Sequence, residues 1–378
     1  MLYLVLFSLI ISSGAEAKNS CKRIVCLVHN LDVPKDFIAK HIPTDYCTHI
    51  IYQYAKIEGN NLKNMFSYEL FNGRKKGLYA KFNGLKRTNS HLKTLLRVTA
   101  PWGKTEPFHK MADTKENRRE FIDAAIAFLK KHQFDGLDVD WRYPTTNGGS
   151  EKDKPNFSAF LKEAFEEFQK NSVNSGLPRL LLSATVHPYL LHFYDVHELA
   201  RYTDMVNVIG FYLRGPWDAE MDHHSPLHDW FGMAKSMENW VANGMPADKL
   251  NLGISFNGLY AHVESKTNHS RLGKIVNVER PLYTPYSSGV LPFREICNLT
   301  SDQNFLHIDA TLKAPYFFRD GLWLGYDDKS SVYEKGKYAM EHGHGVWVQT
   351  LQWDDYDGTM CEMGKYPLLT SVYSGCAM

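Results

Sequence analysis

The sequence predicts an α/β fold, a closed parallel (β/α)8 barrel carrying a small α+β insertion domain between its seventh and eighth strands. Three observations lead there. Eight short runs of β-branched, aromatic and aliphatic residues alternate with longer segments of helical periodicity, the order that builds parallel βαβ units. The runs are apolar almost without interruption, as strands covered on both faces must be. No GxGxxG follows an early run, so an open nucleotide-binding sheet is the weaker alternative.

The strand candidates are 23–29 (RIVCLVH), 47–54 (CTHIIYQY), 92–98 (LKTLLRV), 134–141 (FDGLDVDW), 180–187 (LLLSATVH), 204–212 (DMVNVIGFY), 250–256 (LNLGISF) and 344–351 (HGVWVQTL). After Thr114, Phe121, Ala125, Phe128 and Leu129 recur on one helical face. Pro155 suits a first helical turn, and Phe157, Phe160, Leu161, Ala164, Phe165 and Phe168 follow at helical spacing. The stretch 257–343 breaks the alternation. Its Tyr/Pro/Gly-rich runs, RPLYTPYSSGVLP and APYFFRDGLWLGYDD, read as short strands and turns rather than as a crossover helix. The expected organisation is a leader at 1–17, a barrel built from 18–256 and 344–378, and an insertion at 257–343 beside the barrel mouth.

The leader, MLYLVLFSLIISSGAEA, is an apolar run ending in the small-x-small triplet Ala15-Glu16-Ala17. That pattern marks a secretory signal cleaved after Ala17, and the run is short for a membrane span. A secreted, extracellular chain without membrane association is expected. The formal net charge of +1 offers no basic surface for nucleic acid. Six cysteines, Cys21, Cys26, Cys47, Cys297, Cys361 and Cys376, are an even count in a secreted chain and point to disulfides, with fifteen connectivities open. None lies in a CxxC. His223 and His224 are neighbours on an extended segment and diverge, so neither a metal nor a cofactor is expected. Asn156, Asn268 and Asn298 open acceptor sequons for N-glycans.

FDGLDVDWRYP, from Phe134 to Pro144, concentrates charge in one of the apolar runs. Alternate strand residues face opposite sides, so Asp138, Asp140 and Arg142 point one way while Leu137, Val139 and Trp141 point towards the helices. In a barrel the polar set faces the lumen and rises to the C-terminal mouth, where sites are built. Carboxylates about 7 Å apart raise one another's pKa and share a proton, an arrangement that suits a general acid above them. Arg142 takes that upper place. A guanidinium with a pKa above ~12 hands over no proton, but it pairs tightly with Asp140 or Asp138.

DGLDVDWRYP resembles the strand-four signature of chitinases of glycoside hydrolase family 18, DGxDxDxE followed by Tyr-Pro. LKTLLRV, LLLSATV, HHSPL, FFRDGLWLGYDD and DDYDGTMC fall in the family's order and spacing, so the resemblance runs almost the length of the mature chain. In active members the last signature residue is a glutamic acid that protonates the leaving oxygen, while the substrate's acetamido oxygen is the nucleophile. The matching residue here is Arg142. The resemblance places Phe211 and Tyr212 where the family has a tyrosine and an aspartate on strand six. It places Gln349 at the strand-eight tryptophan, with Trp347 two residues away on the same face. Leu31 matches a strand-one tryptophan, and Thr99, Ala100 and Pro101 match a Gly-Gly-Trp, with Trp102 displaced by one. Asn257 and Leu259 match a tyrosine and an arginine of the insertion. The family's two usual disulfides imply Cys26–Cys47 and Cys297–Cys361; the extra Cys21 and Cys376, near the termini, are expected to pair with each other.

What the resemblance implies is a secreted chitinase-like protein without hydrolase activity, monomeric, binding a GlcNAc-containing chitin-type oligosaccharide as lectin members do, or a protein receptor. The alternative is a growth-factor-like signalling protein with a vestigial cleft. An enzyme using Asp140 as a substitute acid is a third reading, disfavoured because Asp140 sits one pleat too deep. The degenerate catalytic row is Asp135, Asp138, Asp140 and Arg142; it reads equally as a hydrogen-bonded cluster that holds the barrel. Arg142 has an ion-pair reading and an acidic-sugar reading. Candidate ligand contacts are Trp102, Tyr143, Phe211, Tyr212, Trp217, Trp347 and Gln349, and Trp102, Trp217 and Trp347 have a filler reading beside the stacking one.

Overall fold

The computed structural model describes residues 20–30, 39–70, 77–100, 103–264, 273–277, 289–301, 303–309 and 311–377. The leader, Leu31, Pro101, Trp102 and Asn268 lie outside the described residues.

Eight parallel strands are hydrogen-bonded in chain order: Ile24–His29, His49–Glu58, Lys93–Thr99, Gly136–Asp140, Leu181–Val186, Met205–Val208, Leu250–Ser255 and Gly345–Gln349. The eighth also pairs with the first, through Ile24 opposite Val346, and that pairing closes the barrel. A short strand, Asn61–Asn64, folds back antiparallel on the second.

Helices cover the outer face. Lys115–His132 starts at Thr114, whose side chain accepts the Asn117 N–H, and stops at Gln133, left-handed at φ 63°. Phe121, Ala125 and Leu129 are its buried stripe. Asp153–Ser175 buries Phe157, Phe160, Leu161, Ala164 and Phe168. Each fully buried side chain of this size contributes roughly 2–3 kcal/mol. Leu137, Val139 and Trp141 of the fourth strand lie in the same layer, and the Trp141 ring stacks on Phe108 at 5.4 Å. The lumen holds a second, smaller core of Val25, Leu27, Ile51, Leu95, Met205, Ile209, Phe211 and Trp347.

Between the seventh and eighth strands lies an antiparallel sheet of Asn257–Val263, Gly273–Asn277, Val290–Pro292, Leu306–Asp309, Ala314–Arg319 and Leu322–Gly325, with the helix Phe293–Leu299. Glu220–Met221, from the loop after the sixth strand, joins this sheet beside Gly273–Asn277. The expected strands and turns give way at Lys329–Glu341, which is a helix. It is the crossover that returns the chain to the eighth strand. Asp328 caps it, accepting the Ser331 N–H at 2.8 Å. Its buried residues are Ser331, Val332, Lys335, Gly336, Tyr338 and Ala339, too mixed in polarity and charge to give the apolar stripe that announces a helix. Gly336 is required there, because a Cβ would come 2.6 Å from the Val372 carbonyl of the helix Pro367–Cys376.

The six cysteines form Cys21–Cys376, Cys26–Cys47 and Cys297–Cys361. The first fastens the start of the barrel to the last helix. The third fastens the insertion's helix to the loop after the eighth strand.

Candidate functional site

The charged row on the fourth strand is organised by strand register. Arg97 of the third strand stands opposite Asp138, and Asp138 opposite Ser183 of the fifth. Asp138 has no solvent exposure. Its carboxylate accepts Nε of Arg97 at 2.5 Å, the Ser183 hydroxyl at 2.6 Å and Nδ2 of Asn207 at 3.0 Å. The other guanidinium nitrogens of Arg97 donate to Gln53 at 3.1 Å and Thr185 at 2.7 Å. A buried charge survives only when its partners are this complete.

One layer higher, Asp140 accepts Nε of Arg142 at 2.8 Å and the Thr99 hydroxyl at 3.2 Å. Nη1 of Arg97 lies 3.5 Å from its second oxygen. The upward shift expected of stacked carboxylates is not what Asp140 shows. Burial pushes the Asp140 carboxyl up, but Arg142 and Arg97 together outweigh it and hold the group below the usual carboxylate range. Burial likewise lowers the Arg142 guanidinium, and Asp140 more than restores it, leaving it above its ordinary value. Two carboxylates, Asp138 and Asp140, thus stand against two guanidinia, Arg97 and Arg142. Arg97 was legible only as a charge inside the apolar run LKTLLRV; its partner depended on register.

Asp135 does not belong to the row. It precedes the strand and faces away from the lumen, where Lys86 donates to it at 2.9 Å and the Thr94 backbone N–H at 2.8 Å. The period of two explains the separation, since 135 has the opposite parity to 138 and 140.

The aromatic candidates divide by exposure. Trp347 is fully buried, its Nε1 donating to the Val208 carbonyl at 2.8 Å and its ring lying over Arg97 at 5.2 Å. Phe211 is buried against it, edge-on at 5.4 Å. Neither offers a face to a ligand, so for both the filler role replaces the stacking one. Gly253 opposite leaves the room: a Cβ there would stand 2.7 Å from the indole nitrogen. Tyr212 is half-buried, left-handed at φ 59°, and its hydroxyl donates to Asn257 at 3.2 Å. Trp217 packs edge-on against Tyr212 at 6.4 Å and is 62% exposed. Gln349 is buried at the end of the eighth strand, its amide oxygen without a hydrogen-bond partner among the described residues. Tyr143 lies edge-on to His187 at 5.0 Å. The His187 Nδ1 accepts the N–H groups of Tyr189 at 3.0 Å and Leu190 at 3.1 Å, and burial, with His192 and Arg142 nearby, depresses the ring to about 4.

His223 and His224 are both buried, His223 edge-on to Tyr316 and Trp323 and His224 tilted against Tyr212 at 5.9 Å. Among the described residues no group of three or more His, Cys, Asp or Glu side chains is placed to hold a metal.

The chain is similar to known proteins along most of its length. Oviduct-specific glycoprotein of Mesocricetus auratus is 33% identical over 360 residues, covering 92% of this chain and 53% of that protein; the chain thus spans about half of that relative. The structure of human YKL-39, described as a pseudo-chitinase with retained chitooligosaccharide binding properties, superposes with a TM-score of 0.84 at 29% identity, over 93% of this chain and 99% of that one. The Group IV chitinase of Ostrinia furnacalis superposes with a TM-score of 0.85 at 28% identity, over 94% and 100% of the two chains. The model of glycosyl hydrolases family 18 matches residues 23–354, and the chain belongs to that family.

Proposed function

We propose that the protein is a secreted, monomeric, carbohydrate-recognising barrel without hydrolase activity, with chitin-type oligosaccharides as its ligand. One observation supports the reading: Arg142, which the resemblance matches to the family's proton-delivering acid, is tied to Asp140 at 2.8 Å. A guanidinium neither donates nor shuttles a proton at any biological pH, and Asp140 below it is held ionised by two cations. The retained oligosaccharide binding of the pseudo-chitinase YKL-39 supports a mouth that binds without cutting. Among the described candidates, Trp217 is an exposed ring that can serve as a stacking surface. The leader and three disulfides support secretion.

A second reading, a growth-factor-like protein acting through a receptor, draws support from Phe211 and Trp347, whose burial removes two sugar faces from the cleft. Calorimetric titration with chitotetraose separates the two, since saturable binding favours the lectin and its absence favours the receptor. A fluorogenic chitobioside assay beside an active chitinase tests the shared premise. Turnover by the purified protein would end it.

A further inference from the structure

A cavity of about 370 Å³ opens between the insertion and the loop after the eighth strand, within the ~300–1,000 Å³ of small-ligand sites. Phe293, Leu306 and Tyr326 give it an apolar floor, and the charged side chains of Lys329 and Glu362 line it beside Met363, which is half exposed. Asn298 also lines it, solvent-exposed at the end of the helix Phe293–Leu299. Asn298-Leu299-Thr300 is an acceptor sequon.

We propose that Asn298 carries an N-linked glycan whose innermost N-acetylhexosamine rests on this groove. The co-reactant is an oligosaccharide linked to a polyprenyl diphosphate. Nδ2 of Asn298 attacks the anomeric carbon, forming the Nδ2–C1 bond. The C1–O bond to the diphosphate breaks, the polyprenyl diphosphate leaves with the bonding pair, and Nδ2 gives up one proton to base. The sugar's C–H face suits the partly exposed Leu306 and Met363 at the groove's rim, while its hydroxyl and acetamido groups face Lys329 and Glu362. The attachment point is on the groove's own wall, which fixes what covers it.

The fold also supplies the interval in which modification occurs. Thr300 is buried, its hydroxyl donating to the Ile296 carbonyl at 2.9 Å, so the finished structure hides the sequon's third residue. Cys297, next to Asn298, waits for Cys361, which comes 64 residues later. The sequon therefore stays accessible until that segment is made. Asn156 is the contrast. It lies in the first turn of Asp153–Ser175, its N–H bonded to the Lys152 carbonyl at 3.0 Å and the Ser158 hydroxyl bonded to Lys154 at 3.2 Å. That helix is local and needs no later residue to form.

The test uses the full chain secreted from eukaryotic cells. Glycopeptide mass spectrometry is expected to find Asn298 occupied and Asn156 bare. The glycan is then trimmed to its innermost sugar with an endoglycosidase, or removed whole with an amidase, and anilinonaphthalene sulfonate is added. Dye fluorescence is expected to stay unchanged on trimming and to rise several-fold on full removal and in Asn298→Gln, with Tm lower by a few degrees. An unmodified Asn298 overturns the assignment. Equal dye signals in all forms overturn the groove contact.

Discussion

Nε of Arg142 donates to one oxygen of Asp140 at 2.8 Å, while the other oxygen of Asp140 lies 3.5 Å from Nη1 of Arg97. The carboxylate is thus clamped between a buried cation and one whose side chain is 32% exposed. Arg142 is the outer, replaceable half of this clamp.

Arg142→Glu places a carboxylic acid at the position proposed to match the family's acid. The variant is expected to remain without turnover on a chitobioside from pH 4 to 7, because Phe211 and Gln349, proposed to match a tyrosine and a tryptophan of active members, carry neither a hydroxyl nor an aromatic platform. It sets a carboxylate beside Asp140, so folding stability is expected to fall by about 1–3 kcal/mol, the worth of a hydrogen bond between charged groups. Arg142→Lys keeps the charge and loses about half as much. Urea denaturation measures both, and a reverted variant that hydrolyses substrate would refute the account of the missing groups.

Trp217 and Trp347 are expected to separate binding from stability. Trp347→Ala empties a sealed site and is expected to cost about 3–5 kcal/mol of folding stability. Trp217→Ala removes an exposed ring, so its stability is expected to change by less than about 0.5 kcal/mol. Loss of one stacking face, ~1.5 kcal/mol, would weaken chitotetraose roughly tenfold. Calorimetry and denaturation on the two variants read both effects. Equal destabilisation by the two would return Trp217 to the role of filler.

The barrel was legible because its signal is repeated: eight apolar runs, each separated by a length of chain that suits a helix. The direction of Asp138 and Asp140, and the outward turn of Trp141, followed from the strand's period of two. What escaped depended on neighbours distant in sequence. Arg97 meets Asp138 only through the register of the third and fourth strands. The crossover Lys329–Glu341 hid because its packed face mixes Val332 and Tyr338 with Ser331, Gly336, Ala339 and a charged Lys335, which pairs with Asp327 at 2.6 Å. Nothing in the string of residues distinguishes the buried Trp347 from the exposed Trp217, since exposure is a property of what surrounds a ring.

Asp354 predicts a pH dependence of stability. Burial raises its carboxyl to about 7, against the backbone N–H groups of Leu369 and Leu368, which favour the charged form. These belong to the start of the helix Pro367–Cys376. An acid whose folded pKa lies above its unfolded value takes up a proton on folding. Its contribution is therefore complete below the unfolded value of 3.8 and is lost as pH rises towards 7. The slope is at most about 1.4 kcal/mol per pH unit. Asp354→Asn keeps an oxygen for the Leu369 N–H and is expected to be flatter across that window than the native protein, with the difference largest near pH 7. Denaturation curves at intervals between pH 4 and 7 decide it, and parallel profiles would refute it.

Loss of Arg97 is expected to be as costly as emptying the Trp347 site in the same lumen. It neutralises Asp138 at 2.5 Å, reaches Asp140 and lies against the Trp347 ring, all without solvent to substitute for it. Arg97→Met keeps much of the side chain's volume but leaves Asp138 with neutral donors alone, Ser183, Asn207 and Thr185. Removing one member of such a buried pair costs about 3–5 kcal/mol, because the other charge stays desolvated. Adding Asp138→Asn removes that charge, and the double variant is expected to recover more than about 1 kcal/mol of the loss. Arg142→Met, whose side chain is partly in solvent, is expected to lose less than Arg97→Met. Strict additivity of Arg97→Met and Asp138→Asn in a double-mutant cycle would mean that the lumen is held by its apolar filling, and that its charged row is a passenger.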